Sequence, residues 1–346
     1  MNTVSSHHPE ASDTVRQQKR IFVAGATGYI GKFVVRELVS RGYEVVSFAR
    51  ERSGVNASTT TEQTRRELMG SEVRFGDVCD LASLKKNGFR GERFDVVVSC
   101  LTSRNGGVKD SWNIDYQASK NVLDAGNEAG AKQFVLLSAI CVQKPLLEFQ
   151  RAKLKLEKEL MESGLTWSIV RPTAFFKSIA GQVEAIKNGK PYVMFGNGEL
   201  TACKPISEAD LARFMADCIE DPSKQNRILP IGGPGKAITA RQQGEMIFEL
   251  LGKEPKFKNM PIRMFDVIIP VLTLLSKIFP KLEDKAEFAR IGKYYCSESM
   301  LVLNPATGRY DADATPSYGT DTLRDFYRRV INEGLAGQEL GAHSMF

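Results

Sequence analysis

Three glycines with a regular spacing are the clearest chemical signal in the sequence. They lie in Gly25-Ala26-Thr27-Gly28-Tyr29-Ile30-Gly31, after an apolar run at 20–24 and at the start of an amphipathic segment. Gly25 allows a tight turn, Gly28 lets the backbone approach a pyrophosphate, and Gly31 permits close packing of helix on strand. The phosphates would then rest on the helix N-terminus. A glycine-rich turn without a ligand is the alternative. The sequence context favours a dinucleotide site, with cofactor-binding residues Gly25, Thr27, Gly28, Tyr29, Ile30 and Gly31.

The residue at the end of the second predicted strand distinguishes NAD from NADP in such sites. Here that residue is Arg50, which suits a 2′-phosphate; Arg52 supports the same preference and Glu51 opposes it. We therefore predict NADPH as the cofactor, with a solvated surface arginine as the alternative. Asp77-Val78, after the third strand, is predicted to meet the adenine, and Leu101-Thr102, after the fourth, to line the nucleotide.

Apolar runs alternate with helical patterns, which is typical of a parallel sheet covered by helices on both faces. The sequence therefore predicts an α/β fold: a Rossmann-type doubly wound parallel sheet with a smaller C-terminal substrate-binding region. The predicted strands are 20–24, 43–49, a third containing Val73 and Phe75, 95–100, 133–138, 166–170 and 228–231. The predicted helices are 30–40, 114–126, 147–163 and one capped by Ser207.

We divide the chain into a flexible tail (1–18), an NADP-binding Rossmann domain (19–172), a substrate-binding region with late strands returning to the sheet (173–335) and a second tail (336–346). Residues 262–279 form the most apolar segment. Within it, Arg263, Asp266, Pro270 and Lys277 argue against a membrane-spanning helix. A partly buried helix pair lining the core is the favoured interpretation. Capping of the substrate pocket and contact with a membrane surface are the alternatives.

Composition excludes several classes of function. The net charge of +6 comes from scattered basic residues, which weighs against a nucleic-acid-binding surface. Six separated cysteines without a Cys-x-x-Cys pair, and histidines confined to the tails (His7, His8 and His343), predict no metal site and no iron–sulfur cluster. Residues 1–19 are polar and lack the apolar core of a secretory signal, which predicts a cytoplasmic location.

The region after the fifth strand resembles the short-chain dehydrogenase/reductase superfamily. That superfamily carries a serine at the end of this strand and a Tyr-x-x-x-Lys pair on the next helix. Here Ser138 and Lys153 match, but Phe149 replaces the tyrosine. Residues four apart share a helix face, so the phenol that protonates a carbonyl oxygen is missing from that face. The resemblance to isoflavone-reductase-like members implies hydride delivery to a conjugated carbon–carbon double bond. The resemblance to NmrA-like members implies dinucleotide binding without turnover.

Over nearly the whole length after the tail, the chain resembles NADPH-dependent divinyl chlorophyllide a 8-vinyl-reductases. Besides the glycine motif, the resemblance rests on segments 101–107, 138–142 with Lys144-Pro145, 171–178 and 231–235. It implies reduction of the 8-vinyl group of a divinyl (proto)chlorophyllide, a tetrapyrrole, to ethyl in chlorophyll or bacteriochlorophyll synthesis. The separated cysteines fit this type rather than an iron–sulfur form, and the polar N-terminus favours a photosynthetic bacterium.

The resemblance also implies roles for three polar residues. Lys153 would hold the nicotinamide ribose and relay a proton; an exposed helix lysine is the alternative. Ser138 would orient a water molecule or be an ordinary strand-end serine. Arg171 would anchor a phosphate or a substrate carboxylate, and a structural ion pair competes with that role.

A flat, apolar tetrapyrrole needs a wide pocket with aromatic walls. The candidate wall residues, each of which could instead belong to the core, are Phe175, Phe176, Tyr192, Phe195 and Met264-Phe265. We predict an enzyme because Lys153 is retained. A dinucleotide sensor and a non-catalytic assembly factor for photosynthetic complexes are the competing hypotheses. A transient contact with a pigment-bearing membrane is compatible with segment 262–279.

Overall fold

The structure, a computed structural model, describes residues 18–53, 58–104 and 106–335. The strands are β1 (Arg20–Ala24), β2 (Glu44–Ala49), β3 (Glu72–Phe75), β4 (Val96–Ser99), β5 (Gln133–Leu137), β6 (Thr166–Pro172), β7 (Tyr192–Phe195), β8 (Ala202–Cys203), β9 (Arg227–Ile231), β10 (Ile238–Thr239), β11 (Phe257–Met260), β12 (Val302–Asn304) and β13 (Arg309–Asp311). The histidines and, apart from Gln18, the two predicted tails lie outside the described residues.

Helices follow most strands. They are α1 (Tyr29–Ser40), α2 (Thr61–Glu67), α3 (Leu81–Ser83), α4 (Val108–Asp110), α5 (Ser119–Glu128), α6 (Glu148–Met161), α7 (Val183–Lys187), α8 (Glu208–Glu220), α9 (Ala240–Leu250), α10 (Met264–Ser276), α11 (Glu283–Ser297) and α12 (Leu323–Glu333). Two further segments, Leu84–Phe89 and Ser111–Ala118, are π-helical. The predicted cap of α8 is confirmed, because the Ser207 hydroxyl accepts the Asp210 N–H at 3.0 Å.

The central sheet has seven parallel strands in the order β3-β2-β1-β4-β5-β6-β9, which confirms the predicted doubly wound fold, and β9 pairs with β6 at its edge. Burial on both faces explains the apolar strands. In β1, Ile21 and Val23 join a cluster with α1 and α8, whereas Phe22 and Ala24 join a cluster with α5 and α6. The strand order reverses between β1 and β4, so a crevice opens at their carboxyl ends.

The helix predicted at 114–126 is longer and less regular than expected. Helical structure begins at Val108, passes through the π-helical segment Ser111–Ala118 and ends at Glu128. A π-turn breaks the 3.6-residue period on which the prediction relied, and such turns are frequent at functional sites. This segment follows β4 and lies beside the crevice.

The C-terminal region adds small sheets and helices at one end of the central sheet. β7 pairs with β11 in parallel, β8 pairs with β10 antiparallel, and β12 and β13 form a hairpin. Helices α7, α9 and α12 enclose a separate apolar cluster that contains Phe248 and Tyr327. Helix α11 packs on the loop after β5, through a cluster that joins Tyr294 to Ile140 and Cys141.

The interpretation of residues 262–279 as a helix pair lining the core is wrong, because the segment forms one α-helix, α10, with no fully buried residue. Its partial burial is confirmed, since residues such as Met264, Phe265 and Leu272 are half-buried. The reason is that α10 packs against α11 along one side only, where Lys293 pairs with Asp266 at 2.7 Å. No helix within residues 18–53, 58–104 and 106–335 is long and apolar enough to cross a membrane.

Candidate active site

The glycine turn between β1 and α1 brings three backbone segments into close approach. Gly25 has φ of +76°, and a Cβ there would lie 2.6 Å from the carbonyl carbon of Cys100, just after β4. A Cβ on Gly31 would lie 2.1 Å from the carbonyl oxygen of Gly25. Side chains at these two positions would therefore force β1, β4 and α1 apart. The turn holds the start of α1 at the crevice.

The start of α1 can hold a diphosphate. Gly28 is the N-cap residue, and no side chain caps the helix there. The amides of the first turn therefore remain available to an anion, which the helix dipole also favours. Ile30 is only 4% exposed, so it can offer the cofactor its backbone alone. The Tyr29 hydroxyl instead donates to Glu208 Oε2 at 2.8 Å, connecting α1 to α8. Burial raises the pKa of Tyr29 far above its usual value.

Two arginines lie near each other beyond the ends of β2 and β4. Arg50 is exposed, and burial together with the positive charge of Arg50 lowers the pKa of Arg104. The Arg104 N–H donates to Asp110 Oδ2 at 2.9 Å, which orders this loop. Two neighbouring guanidinium groups attract a dianionic phosphate. Sequence reasoning did not predict Arg104 as a cofactor residue, because its proximity to Arg50 depends on the pairing of β1 with both β2 and β4.

The loop after β3, which is predicted to contact the adenine, is hydrogen-bonded to a residue of α5. Asn121 Nδ2 donates to the Val78 carbonyl at 3.0 Å, and Asp77 Oδ1 accepts the Cys79 N–H at 2.9 Å. Asp77 is exposed whereas Val78 is buried. The contribution of Asp77 and Val78 to cofactor binding stays a prediction, and Asn121 is a supporting residue that the sequence did not reveal.

Lys153 forms a buried ion pair. Its Nζ lies 2.9 Å from Asp115 Oδ1, and the two side chains are 9% and 0% exposed. Asp115 also accepts the Thr102 hydroxyl at 3.1 Å and the Ser103 N–H at 3.3 Å. The interpretation of Lys153 as an exposed helix lysine is therefore wrong. The lysine is oriented toward the loop after β4, where the nucleotide is predicted. Asp115, in the π-helical segment, was not predicted from the sequence.

A second buried charge on α6 engages the two other predicted polar residues. Glu157 is 1% exposed. It accepts the Ser138 hydroxyl at 2.5 Å and the Arg171 Nε–H at 3.1 Å, and a second guanidinium nitrogen of Arg171 also donates to it. This geometry matches the structural ion pair weighed for Arg171 and gives Ser138 a partner away from solvent. A catalytic role for Ser138 and a ligand-binding role for Arg171 stay predictions.

A cavity of about 560 Å³ opens beyond the carboxyl ends of β5 and β6. The loops that follow these strands form one wall, and β7 and α11 form others. Three of the predicted aromatic residues line it: Phe175, Tyr192 and Phe195. Phe176 is not among the lining residues, because its ring is 2% exposed and packs 5.3 Å from that of Phe326 in the core. The Met264-Phe265 pair also does not line it; the Phe265 ring packs 5.6 Å from that of Phe195.

The cavity lining is mostly apolar. Among the described lining residues there is no Lys, Arg or His, and Glu298 is the only charged one. Glu298 pairs with Lys144 at 2.6 Å and accepts the Tyr310 hydroxyl at 2.8 Å. Lys153, Ser138 and Arg171 are not among the lining residues. The cavity therefore suits a large apolar ligand placed beside a dinucleotide in the crevice.

The sheet, the glycine turn and the neighbouring cavity define a Rossmann-type NAD(P)H-binding protein, and residues 25–222 match the NAD(P)H-binding family. The chain is 62% identical over 332 residues to the chloroplastic divinyl chlorophyllide a 8-vinyl-reductase of Cucumis sativus, covering 94% of this chain and 79% of that protein. It is 60% identical to the chloroplastic divinyl chlorophyllide a 8-vinyl-reductase of Arabidopsis thaliana, over 93% of this chain and 79% of that protein. The chain belongs to the divinyl chlorophyllide a 8-vinyl-reductase family.

More distant proteins are similar in sequence or in fold. The photosystem II assembly factor Ycf39 of Synechocystis is 24% identical over 91% of this chain and 92% of its own length. The solved structure of AtPrR2 with NADP⁺ and (+)pinoresinol has a TM-score of 0.65 at 16% identity. The match covers 90% of this chain and 98% of that chain. The solved structure of quinone oxidoreductase QOR2 of Escherichia coli complexed with NADPH has a TM-score of 0.61 at 18% identity. The match covers 90% of this chain and 100% of that chain. The two solved structures show the likeness of fold alone.

The Lys153–Asp115 pair can be tested by separating its structural role from its role in cofactor binding. Lys153→Met leaves a buried carboxylate without its cation, and we expect a loss of about 3–5 kcal/mol in unfolding free energy, measured in urea. The double variant Lys153→Met/Asp115→Asn removes both charges and should regain most of that stability. Its NADPH affinity should stay about 10- to 100-fold lower, because a charged hydrogen-bond donor is lost. Wild-type NADPH affinity in the double variant would give Lys153 a purely structural role.

Proposed function

We propose that this chain reduces the 8-vinyl group of divinyl chlorophyllide a, or of the corresponding protochlorophyllide, to an ethyl group. The observation that best supports this proposal is the apolar cavity of about 560 Å³ beside the dinucleotide crevice. The chain is also 62% identical to a relative with that activity. When bound, NADPH supplies the hydride. A macrocycle fits a lining with aromatic walls such as Phe175 and Phe195 better than a small polar substrate would.

Each part of the crevice has a defined task in this proposal. The first-turn amides of α1 bind the diphosphate, and Arg50 with Arg104 binds the 2′-phosphate that distinguishes NADPH. The Lys153 ammonium group donates to the hydroxyls of the nicotinamide ribose while Asp115 orients it. The apolar cavity excludes water and holds the vinyl group against the nicotinamide side of the crevice. The substitution at Phe149 is compatible with this chemistry, because reduction of a carbon–carbon double bond produces no alkoxide.

The functional division at residue 172 fits this arrangement. Apart from residues 139–141 and Pro172, the described lining residues of the cavity fall within 173–335. We propose that 19–172 binds the dinucleotide and that 173–335 forms most of the substrate side. Strand β9 in the second part returns to the central sheet, so the two parts share one core.

The activity can be tested by anaerobic incubation of purified protein with NADPH and 3,8-divinyl chlorophyllide a. We expect a blue shift of the Soret band and a new pigment with an 8-ethyl group on chromatography, both absent without NADPH. A sensor or assembly factor, as the distant likeness to Ycf39 would suggest, predicts the opposite result. NADPH binding without pigment turnover would reject the reductase and favour that second function.

The cofactor preference can be tested at the two arginines. In Arg50→Ala and Arg104→Ala, NADPH should bind about 10- to 100-fold more weakly, since each variant loses a charged contact to phosphate. Binding of NADH should change little, because NADH lacks the 2′-phosphate. Arg227→Ala is the control for an exposed arginine outside the crevice, since Arg227 lies at the amino end of β9. Equal weakening of NADH and NADPH would show that the arginines support the loop rather than the phosphate.

We further propose that α10 contacts the surface of a pigment-bearing membrane. Four exposed apolar side chains recur with helical spacing along its outer side and just beyond its end. They are Val267 (67% exposed), Val271 (49%), Leu274 (65%) and Ile278 (70%). Phe279 is 58% exposed, and Lys277 and Lys281 flank it. An apolar stripe beside lysines suits the interface of an anionic lipid surface. Phe265 of the same helix contacts Phe195 at the cavity, so this surface lies near the substrate.

Vesicle sedimentation can test the membrane contact. The triple variant Val271→Ser/Leu274→Ser/Ile278→Ser should bind phosphatidylglycerol vesicles at least about tenfold more weakly than the wild type, because apolar burial is lost. Met69→Ser/Leu146→Ser removes exposed apolar side chains elsewhere and serves as the control. Turnover of dissolved pigment should not change in either variant. Wild-type protein that stays in the supernatant at low salt would exclude this contact.

The compartment and the pigment pathway are narrower proposals. The relatives from Cucumis sativus and Arabidopsis thaliana are described as chloroplastic. A cytoplasmic location next to photosynthetic membranes is the alternative compartment, and a bacteriochlorophyll pathway would use the same vinyl reduction. Fractionation of source cells and pigment analysis of a strain without the gene would test both.

A further inference from the structure

Helix α6 leaves the substrate side of the site without its usual proton donor. Phe149 occupies the position of the expected phenol, and its ring packs in the cluster that contains Ala139, Cys141 and Tyr295. Addition of a hydride to a vinyl group still requires one proton to complete the ethyl group. The site must therefore obtain this proton from another element.

Helix α11 presents two consecutive tyrosines to the loop after β5. The Tyr294 hydroxyl donates to the Cys141 carbonyl at 2.8 Å, away from the cavity. Tyr295 lines the cavity, and its phenol lies close enough to Cys141 for that residue to raise the pKa of the phenol. Cys141 also lines the cavity, and the charge of Lys153 acts on its thiol. The Tyr295 phenol thus lies on the side of the cavity that adjoins the predicted nicotinamide position.

We propose that Tyr295 is the catalytic proton donor of the vinyl reduction, supplying from α11 the phenol that α6 lacks. This inference rests on the proposed function. Hydride from NADPH forms the C–H bond at the terminal vinyl carbon, the double bond opens, and its electron pair passes to the carbon attached to the ring and into the macrocycle. The Tyr295 O–H bond then breaks and its proton is added to that carbon. The phenolate regains a proton from solvent, so one hydride and one proton are consumed per ethyl group.

The properties of Tyr295 fit this role. Burial and the neighbouring Cys141 raise its pKa well above the usual value of 10, so the phenol is protonated at neutral pH but is a weaker acid than a free phenol. The position of Tyr295 in the cavity lining, rather than its acidity, therefore supports the assignment. Delivery of a proton by a positioned side chain contributes about 10²- to 10⁴-fold to a rate.

Other acids near the cavity are less well placed. Lys153 and the Ser138 hydroxyl are engaged by Asp115 and Glu157 and do not line the cavity. Glu298 is held in its pair with Lys144. Tyr192 lines the cavity from β7, in a small sheet remote from the loop after β5, and its ring packs against Phe257. Among the described lining residues, Tyr295 therefore combines a phenol with a position beside that loop.

The test compares Tyr295→Phe with Tyr294→Phe in anaerobic single-turnover reactions with NADPH and divinyl chlorophyllide a. Tyr295→Phe should lower the rate of ethyl formation about 10²- to 10⁴-fold, with unchanged NADPH affinity and little change in pigment affinity. In D₂O, the wild type should place deuterium on one face of the carbon attached to ring position 8. The variant should give a mixture of both configurations, because water then reaches either face.

Tyr294→Phe is the matched control, since it removes a neighbouring hydroxyl outside the cavity. It should lose about 1 kcal/mol of stability but keep the wild-type configuration. If the wild type turns over while Tyr295→Phe keeps its rate and configuration, the proposed donor is wrong and the reductase stands. Loss of configuration in Tyr192→Phe instead would move the role to β7. Lack of turnover by the wild type would reject the reductase itself.

Discussion

Two buried charges on one face of α6 constrain the part of the site where the nicotinamide is proposed to bind. Lys153 and Glu157 are one helical turn apart, and each would cost several kcal/mol to bury without a partner. Asp115 pairs with the first and Arg171 with the second. Because the partners lie on other elements, α6 cannot slide or rotate without leaving a buried charge unpaired. The segments that follow β4 and β5 and the carboxyl end of β6 are thereby held in register with a single helix.

The substrate side is built differently. Its walls are mostly apolar side chains, joined by neutral hydrogen bonds such as that from Tyr294 to the Cys141 carbonyl, and Glu298 is the one charged lining residue among those described. Apolar contacts are non-directional and adapt to shape, whereas paired charges require one geometry. The ion pairs therefore restrict the geometry of the dinucleotide side more strictly than apolar contacts restrict the shape of the cavity. Phe149 packs on this apolar side, so a phenylalanine at that position of α6 leaves both ion pairs of the helix undisturbed.

Local signals predicted the dinucleotide half well. The bounds of β1 were correct and those of α1 differed by one residue, because an apolar run and spaced glycines depend only on neighbours in sequence. Asp115, Arg104 and Tyr295 could not be recognised in this way, since each matters through a partner distant in the chain. The misinterpretation of α10 has another cause. An apolar composition does not by itself bury a helix, because burial also needs an opposing surface. Helix α10 has such a surface along a single side.

The absence of a cation among the described lining residues of the cavity constrains how a pigment can be oriented. A chlorophyllide carries its free carboxylate across the macrocycle from the 8-vinyl group, and an unpaired carboxylate is costly to bury. In the proposed function, the macrocycle would therefore enter with its vinyl edge leading and leave the carboxylate at the entrance, in water. Recognition is then confined to the leading edge. A free acid and an ester with a long alcohol would present the same edge to the nicotinamide.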